Sequence, residues 1–367
     1  LHKSSSSHVY PVSPADKELY IFRAFNYDCN AERFKTTRNT GGLTMKKFIL
    51  LCCIVAVASG WLTFSAGSAR ADGKKLNIAM VLWRGGTAAE KGFKAELDRL
   101  GYAVDYTIVN ADQDIRKLAD IVRKENKFDG YDYVYSFGTT VSKFLARVIS
   151  SEIPMIFNIV TAPVEARIIK SMGPRERNIC GVSNRVLPEL AIQNAFNVAA
   201  FKKLGLFYNP REKNSKISLT WIIKLGSQMG FEVIPLRCPP EGPLFKENLE
   251  KVTSRSIDVD AVYLPSDSFL VSRAGYIGKA LQRTRIISIG AIRQFIDKGV
   301  MLGTVPDYYN MGTMAAGILD RHQRGEQLSD IPVQTPENPA LIINTTTADR
   351  LGIKIDRSLL EKAIIVR

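Results

Sequence analysis

Leu76-Asn77-Ile78-Ala79-Met80-Val81-Leu82-Trp83 is a nearly unbroken apolar run that leads into Arg84-Gly85-Gly86-Thr87. A run this short and this apolar is the pattern of a parallel strand buried on both faces. Behind the glycines, Phe93, Leu97 and Leu100 mark the apolar stripe of a helix that Gly101 stops. The same grammar then repeats. A strand is expected over 104–109, followed by a helix on Ile115, Leu118, Ala119 and Val122. Next come a strand over 131–137, a helix over 139–149 and a strand over 154–160. Strict alternation of strand and helix predicts a parallel sheet with helices on both faces.

After Asn178-Ile179-Cys180-Gly181-Val182-Ser183-Asn184 the alternation restarts. A helix opens at Pro188, in the favoured first-turn position. Strands are expected over 204–208, 231–238, 261–264 and 285–289, with helices over 215–229, after Pro243 and over 270–281. Stretches 303–309 and 336–344 read as extended connectors around a helix carrying Met314, Ala315, Ile318 and Leu319, a stripe of ordinary core packing. The expected fold is α/β, two doubly wound parallel-sheet lobes joined by three crossovers into a clamshell. Lobe 1 takes 72–183 with 304–336, and lobe 2 takes 184–303 with 337–367. Ligands of such sheets bind beyond the carboxyl ends of the strands, so both lobes should line one cleft.

The chain has 367 residues, 46% of them hydrophobic, enough for two mid-sized cores. Met45-Lys46-Lys47, an apolar run from Phe48 to Ala58 and Ala69-Arg70-Ala71 together describe a secretory signal peptide over 45–71. The run is too short to span a bilayer, which takes about 20 apolar residues. Cleavage would leave Asp72 first and place the product in the periplasm, unanchored. Residues 1–44 would precede that signal, and they are expected to be an untranslated upstream extension. Residues 1–71 carry nine Lys/Arg and four Asp/Glu, so the net charge of +14 falls to +9 for the remainder. Those positives are interleaved with acids, as on solvated helix faces. With export they argue against a nucleic-acid partner. Cys180 and Cys238 are the cysteines left, too few for a disulfide scaffold but able to form one bridge.

Enzymatic chemistry finds little support. The remaining chain has one histidine, His322, read as a solvated residue on a polar helix end. No nucleophile elbow, phosphate loop, dinucleotide fingerprint or metal-spaced His/Cys cluster occurs. No cofactor or metal is expected. The strand ends instead carry neutral donors, aromatics and an acid. In Ser136-Phe137-Gly138-Thr139-Thr140 a strand turns into a helix, and its hydroxyls and free N–H groups either cap that helix or receive a carboxylate. In Pro265-Ser266-Asp267-Ser268, Asp267 either caps a helix or accepts a ligand ammonium. Trp83, Tyr208-Asn209-Pro210 and Asp307-Tyr308-Tyr309 stand at other strand ends or crossings. Their aromatics either pack on their own lobe or wall the ligand.

Asn158-Ile159-Val160-Thr161-Ala162-Pro163-Val164 resembles a Thr-Asp-Pro-Val segment of ABC transporter substrate-binding proteins, a family that includes binders of tryptophan and other aromatic amino acids. Gly138-Thr139, Asn178-x-x-Gly181-Val182-Ser183, Tyr208-Asn209-Pro210, Asp307-Tyr308-Tyr309-x-x-Gly312 and the ending from Leu341 through Leu360 are similar too. The resemblance covers 76–367. It implies a type-1 periplasmic-binding-protein fold that closes about its hinges on a small, amino-acid-like ligand, aromatic in some members. Asn158 and Thr161 would join the site. Thr139 and Thr140 would hold a carboxylate, Asp267 and its neighbour Ser268 an amino group, and Tyr208 and Asn209 the wall. Delivery would be to an inner-membrane permease driven by a cytoplasmic ATPase. The alternative is presentation of the closed form to a membrane sensor kinase. A monomer is expected. Ala162 departs from the family's Asp, and the first loop is short with an unusual Arg84, which either meets an acidic ligand or points to solvent.

Overall fold

The structure, a computed structural model, describes residues 75–367. The expected upstream extension, signal peptide and new terminus at Asp72 lie outside the described residues. The first sheet is all parallel. It contains β1 (Leu76–Leu82), β2 (Val104–Asn110), β3 (Tyr133–Phe137), β4 (Met155–Asn158) and β5 (Ile179–Gly181), in the order β2-β1-β3-β4-β5. In β1 only Asn77 is exposed, which is why its sequence shows no alternation. Helices α1 (Ala88–Arg99), α2 (Ile115–Lys124) and α3 (Thr139–Val148) link these strands. Ile78, Met80, Tyr133, Tyr135 and Phe157 pack with Phe93, Leu97 and Leu118 into one core.

The second sheet has the order β12-β11-β10-β9-β8-β6-β7. Strands β6 (Lys203–Tyr208), β7 (Glu232–Arg237), β8 (Ala261–Leu264), β9 (Ile287–Gly290) and β10 (Leu302–Val305) are parallel, with β7 at one edge. The strand β11 (Ala340–Asn344) runs antiparallel to β10, and β12 (Ile364–Val366) parallel to β11. Around it lie α4 (Pro188–Val198), α5 (Lys213–Met229), α6 (Leu244–Thr253), α7 (Ser268–Ser272), α8 (Ala274–Leu281) and α9 (Arg293–Asp297). Beyond β11 come α11 (Thr345–Leu351) and α12 (Arg357–Leu360). Separate apolar clusters cover the two faces, one around Phe245, Leu249 and Phe295, the other around Leu204, Leu206 and Ile289.

The chain passes between the sheets three times: after β5, after β10 and ahead of β11. The first and third passages run side by side where Val182 bridges Gln334. After β10 the chain enters α10 (Tyr308–Gln323), whose Met311, Ala315, Ile318 and Leu319 join the core of the first sheet. This is the expected architecture, with local corrections. Stretches 303–309 and 336–344 carry β10 and β11, and the expected boundary after 303 falls inside β10. The crossing at 179–184 begins with β5. The helix expected over 270–281 is two helices that meet at Arg273. The short strands β5, β10 and β11 lie outside the regular strand–helix alternation that identified β3, β4, β8 and β9, so their sequence alone reads as connector. Cys180 and Cys238 are unbridged and buried in different lobes. Burial pushes the Cys180 thiol up to about 11. His322 is not a free surface residue: its Nδ1 bonds the Tyr133 hydroxyl, its ring meets that ring edge-on at 5.5 Å, and burial lowers its pKa.

The contact of α1 with α10 is a backbone-to-backbone approach. A Cβ on Gly312 would lie 1.9 Å from the Ala89 carbonyl oxygen, and one on Gly92 would lie 2.0 Å from that of Tyr309. Neither obstacle is a side-chain tip that can swing away, so a methyl group there must part the helices. Gly312→Ala should therefore destabilise the protein by about 1–3 kcal/mol, the cost of overpacking. In urea unfolding the midpoint should fall with the slope unchanged.

Candidate functional site

The carboxyl ends of β1, β3 and β4 in lobe 1 and of β6 and β8 in lobe 2 lead into residues that line one cavity. In lobe 1 the first loop is held tightly. Gly85 adopts φ +87°, and its N–H donates to Asn110 Oδ1 at 3.0 Å. Thr87 then caps α1, accepting from Ala89 N at 3.1 Å, while Glu90 accepts the Thr87 N–H at 2.6 Å. The second oxygen of Glu90 accepts from the Tyr135 hydroxyl at 2.9 Å, which ties the loop to β3. Trp83 and Arg84 are thus carried on a fixed turn. The Arg84 guanidinium stands 5.5 Å from the Phe137 ring centroid, within cation–π range.

Beside them Gly138, at φ +86°, turns β3 into α3, and no side chain caps that helix. The Thr139 hydroxyl is buried with no hydrogen-bond partner in the protein, as is the Trp83 indole N–H. Next to this turn Ile159 adopts φ +56°. That is a strained backbone for a β-branched residue.

Lobe 2 contributes an acid, though not the expected one. Glu212 stands at the start of α5, only 5% exposed, and both its oxygens accept the Ser268 N–H at 3.1 Å. Asn214 lies beside it, donating to Glu212 Oε2 at 3.4 Å and to the Ser266 carbonyl. Burial raises the Glu212 pKa, while the Ser268 N–H, Asn214, the positive charge of Arg84 and the Trp83 indole pull it back. The indole N–H therefore lies near this carboxylate without a well-formed hydrogen bond to it. Asp267 is fully buried, and its Oδ1 accepts from Leu270 N at 2.9 Å as the cap of α7. Burial first, and then the charge of Glu212, drives its pKa well above the aspartate range. Both carboxyls of this pair are thus raised, Asp267 the more strongly.

Trp83, Arg84, Gly138, Thr139, Thr140 and Ser268 meet around one cavity of about 20 Å³, completed by Phe137, Ile159, Glu212, Asn214 and Ser266. Other sequence candidates lie elsewhere. Asn158 is buried in lobe 1, donating to the Tyr135 hydroxyl at 3.1 Å and the Met311 carbonyl at 3.3 Å. Thr161 lines a larger hollow of about 580 Å³ beside the crossovers. Tyr208 packs against the core of lobe 2, and Asn209 accepts from Arg211 N at 3.0 Å to shape the turn. Asp307 caps α10, accepting from Tyr309 N at 2.8 Å, and Tyr308 packs against the cores of both lobes. Sequence reasoning missed Glu212, although it stands at a strand-to-helix junction, just as Asp267 does. Volume alone would favour the hollow at the crossovers. Among the described residues, however, none of the buried unpaired side-chain atoms belongs to its lining, whereas Trp83 Nε1 and Thr139 Oγ1 line the small cavity.

Two doubly wound lobes closing on a cavity with opposite charges on its walls define a two-lobed solute-binding protein. Residues 76–367 match the ABC transporter substrate binding protein family, and the chain belongs to it. Proteins of this family are solute-binding proteins and not enzymes. A relative named tyrosine-binding protein, from Clostridioides difficile, is 26% identical over 271 residues, 72% of this chain and 77% of that protein. A Streptococcus pneumonia ABC domain solved in complex with L-Trp superposes with a TM-score of 0.73. It is 22% identical, covering 80% of this chain and 100% of that one. A conserved domain protein from Vibrio cholerae gives 0.72 at the same identity and coverage. The type-1 periplasmic-binding-protein clamshell is thereby the fold of this chain.

The raised pKa of Asp267 makes a prediction. Asparagine keeps the capping oxygen and the neutral charge, so Asp267→Asn should fold normally. Alanine loses the cap and should cost about 1 kcal/mol. Because the folded pKa of Asp267 is raised, its contribution is complete below the unfolded value near 3.9 and is lost as pH rises toward the folded one. The stability of Asp267→Asn relative to wild type should therefore grow between pH 4 and pH 8 in urea unfolding. A pH-independent difference would mean that Asp267 titrates as an ordinary aspartate.

Proposed function

We propose that the protein captures a small, amino-acid-like zwitterion between its lobes and delivers it to the permease of an ABC importer. The observation that carries this reading is the charge pattern across the cavity. Lobe 1 presents the Arg84 guanidinium, the unpaired Thr139 hydroxyl and the uncapped start of α3, all suited to a carboxylate. Lobe 2 presents the desolvated Glu212 carboxylate, suited to an ammonium group. Asp267, already the cap of α7, is not needed for this. The names of the relatives that bind tyrosine and tryptophan support the amino-acid class. Trp83, Gly138, Thr140 and Ser268 complete the proposed site, and Thr161, Tyr208, Asn209, Asp307 and Tyr308 act outside it. Among the described residues no helix is long and apolar enough to cross a membrane. Export by the signal over 45–71 and action as a periplasmic monomer belong to the same proposal, as do the lobe limits, with lobe 2 extended through β10.

A thermal-shift screen over amino acids and small organic acids tests this reading, since a ligand at about 100 times its Kd adds about 2.7 kcal/mol of stability. Against the best hit, Glu212→Gln should weaken binding about thirty-fold to a few thousand-fold, the effect of removing one partner of a buried charge pair. Thr139→Val should lose about two- to twelve-fold, as expected for a neutral donor. Calorimetry on both variants checks the ranking. Full affinity in Glu212→Gln would remove the ammonium from its assigned place.

A further inference from the structure

Helix α3 of lobe 1 touches α5 of lobe 2, and the seam between them gathers positive charge. Lys143 and Arg147 stand four residues apart on α3, and so share one face. Lys213 and Lys216 lie in the first turn of α5, which carries no acid. The start of a helix favours negative charge, so lysines there are poorly placed for stability alone. Arg167 joins them from the turn after β4, where its backbone is held at φ +59°. The other four act together on Lys143, which is half-buried. Burial first, and then the charges of Arg147, Lys213, Arg167 and Lys216, lower its pKa.

Among the described residues none of these five side chains makes a hydrogen bond or an ion pair. Elsewhere surface cations are answered locally, as by Lys75–Asp105 at 2.7 Å and Arg99–Glu96 at 2.6 Å. The acids closest to the cluster in sequence are otherwise disposed. Glu212 takes the Ser268 N–H and the Asn214 amide, and Glu165 is exposed and forms no ion pair with Arg167. Cations from both lobes, with no carboxylate paired to them, form a surface that a multivalent oxyanion can neutralise. Arginine forks grip two oxygens of such a group at once, and lysines meet it as point charges.

We propose that the α3–α5 seam is a second binding site, for a multivalent oxyanion of phosphate type, held by Lys143, Arg147 and Arg167 from lobe 1 and by Lys213 and Lys216 from lobe 2. None of the five lines the cavity between Trp83 and Glu212, so the site stands apart from the zwitterion reading and survives its failure. A bound oxyanion turns five mutually repelling side chains into contacts that join the lobes.

The test is thermal unfolding in sodium phosphate against sodium chloride of equal ionic strength, which equalises screening. Binding gives a rise in Tm that saturates as sites fill; general stabilisation by phosphate as an excluded salt does not saturate and is shared by every variant. Wild type should show the saturating part, and sulfate should reproduce it. Lys143→Gln and Lys216→Gln take one cation from each lobe and leave Lys213 beside Glu212 in place. Each should weaken phosphate about two- to fivefold and the pair about tenfold, the effect of losing exposed charge pairs. In dilute chloride neither variant should melt below wild type, because each removes a repulsion. A cation that merely supported the fold would lower that melting temperature, and such a result counts against the site. A phosphate effect that matches chloride, or never saturates, overturns the proposal, as does an affinity that both variants leave intact. Loss in one variant alone would confine the anion to a single lobe and overturn the bridge. Sedimentation with vesicles of phosphatidylglycerol, against phosphatidylcholine alone, separates the sources of the phosphate group. Retention on the anionic vesicles without a saturating response to free phosphate would make the seam a membrane contact and overturn the free-anion site.

Discussion

A carboxylate taken out of water has to be matched, and the cleft is organised around meeting that requirement for Glu212. Transfer of an isolated charge into a low-dielectric interior costs far more than a domain's whole stability, so such groups are paired or protonated. Glu212 has one main-chain N–H, the side chain of Asn214 and the field of Arg84 to hold its charge. Asp267, next to it and fully buried, has the N–H groups of Leu270 and Phe269 and the Ser215 side chain, which burial and the repulsion of Glu212 outweigh. The two acids therefore separate into roles, Asp267 raised the further and capping α7, Glu212 on the wall of the cavity that faces the opposite lobe. Environment makes this assignment, since both stand at strand-to-helix junctions of the same sheet.

The rest of the cleft is built so that the groups facing Glu212 keep their positions. The Thr87–Glu90 capping box and the Glu90–Tyr135 bond fix the loop that carries Trp83 and Arg84 to the neighbouring strand. Gly138 supplies a backbone turn that brings the start of α3 to the same point. Ile159 is held at positive φ on the cavity wall, a conformation that costs of order 1–3 kcal/mol and persists only where its surroundings impose it. Behind these loops the α1–α10 contact at Gly92 and Gly312 locks a helix from the far end of the chain onto lobe 1. The passages between lobes are short strands and turns, two of them side by side where Val182 bridges Gln334.

The architecture was legible because it is written in runs long enough to show a period. Leu76 to Trp83 and the stripes of Phe93/Leu97 and Leu118/Val122 identify their elements unaided. What escaped were strands of three to five residues, β5 and β10 to β12, whose pairing depends on partners far along the chain. The site was half legible. Trp83, Arg84, Gly138, Thr139, Thr140 and Ser268 follow from the rule that ligands lie at the carboxyl ends of parallel strands, and the structure gathers them around one cavity. The choice between Asp267 and Glu212 was not legible, because it turns on which carboxylate receives which N–H across 56 residues of sequence. Asn158 entered the expected site only through the family resemblance, and the structure buries it in lobe 1, bonded to the Tyr135 hydroxyl and the Met311 carbonyl.

Opposite charges on opposite walls also decide what the cleft should reject. On the proposed zwitterion reading, Arg84 and Glu212 are separately hydrated while the clamshell is open, and closure removes water from both. A ligand bearing only a carboxylate would leave Glu212 buried without a cation, and a ligand bearing only an amine would leave the lobe 1 donors unpaired. Each omission costs the desolvation of the abandoned group, which exceeds the net worth of the hydrogen bond it would have made. Selection thus acts through closure more than through contact. A molecule with both charges at the right separation neutralises both walls at once, and any other must be held by a cleft that cannot shut without a penalty.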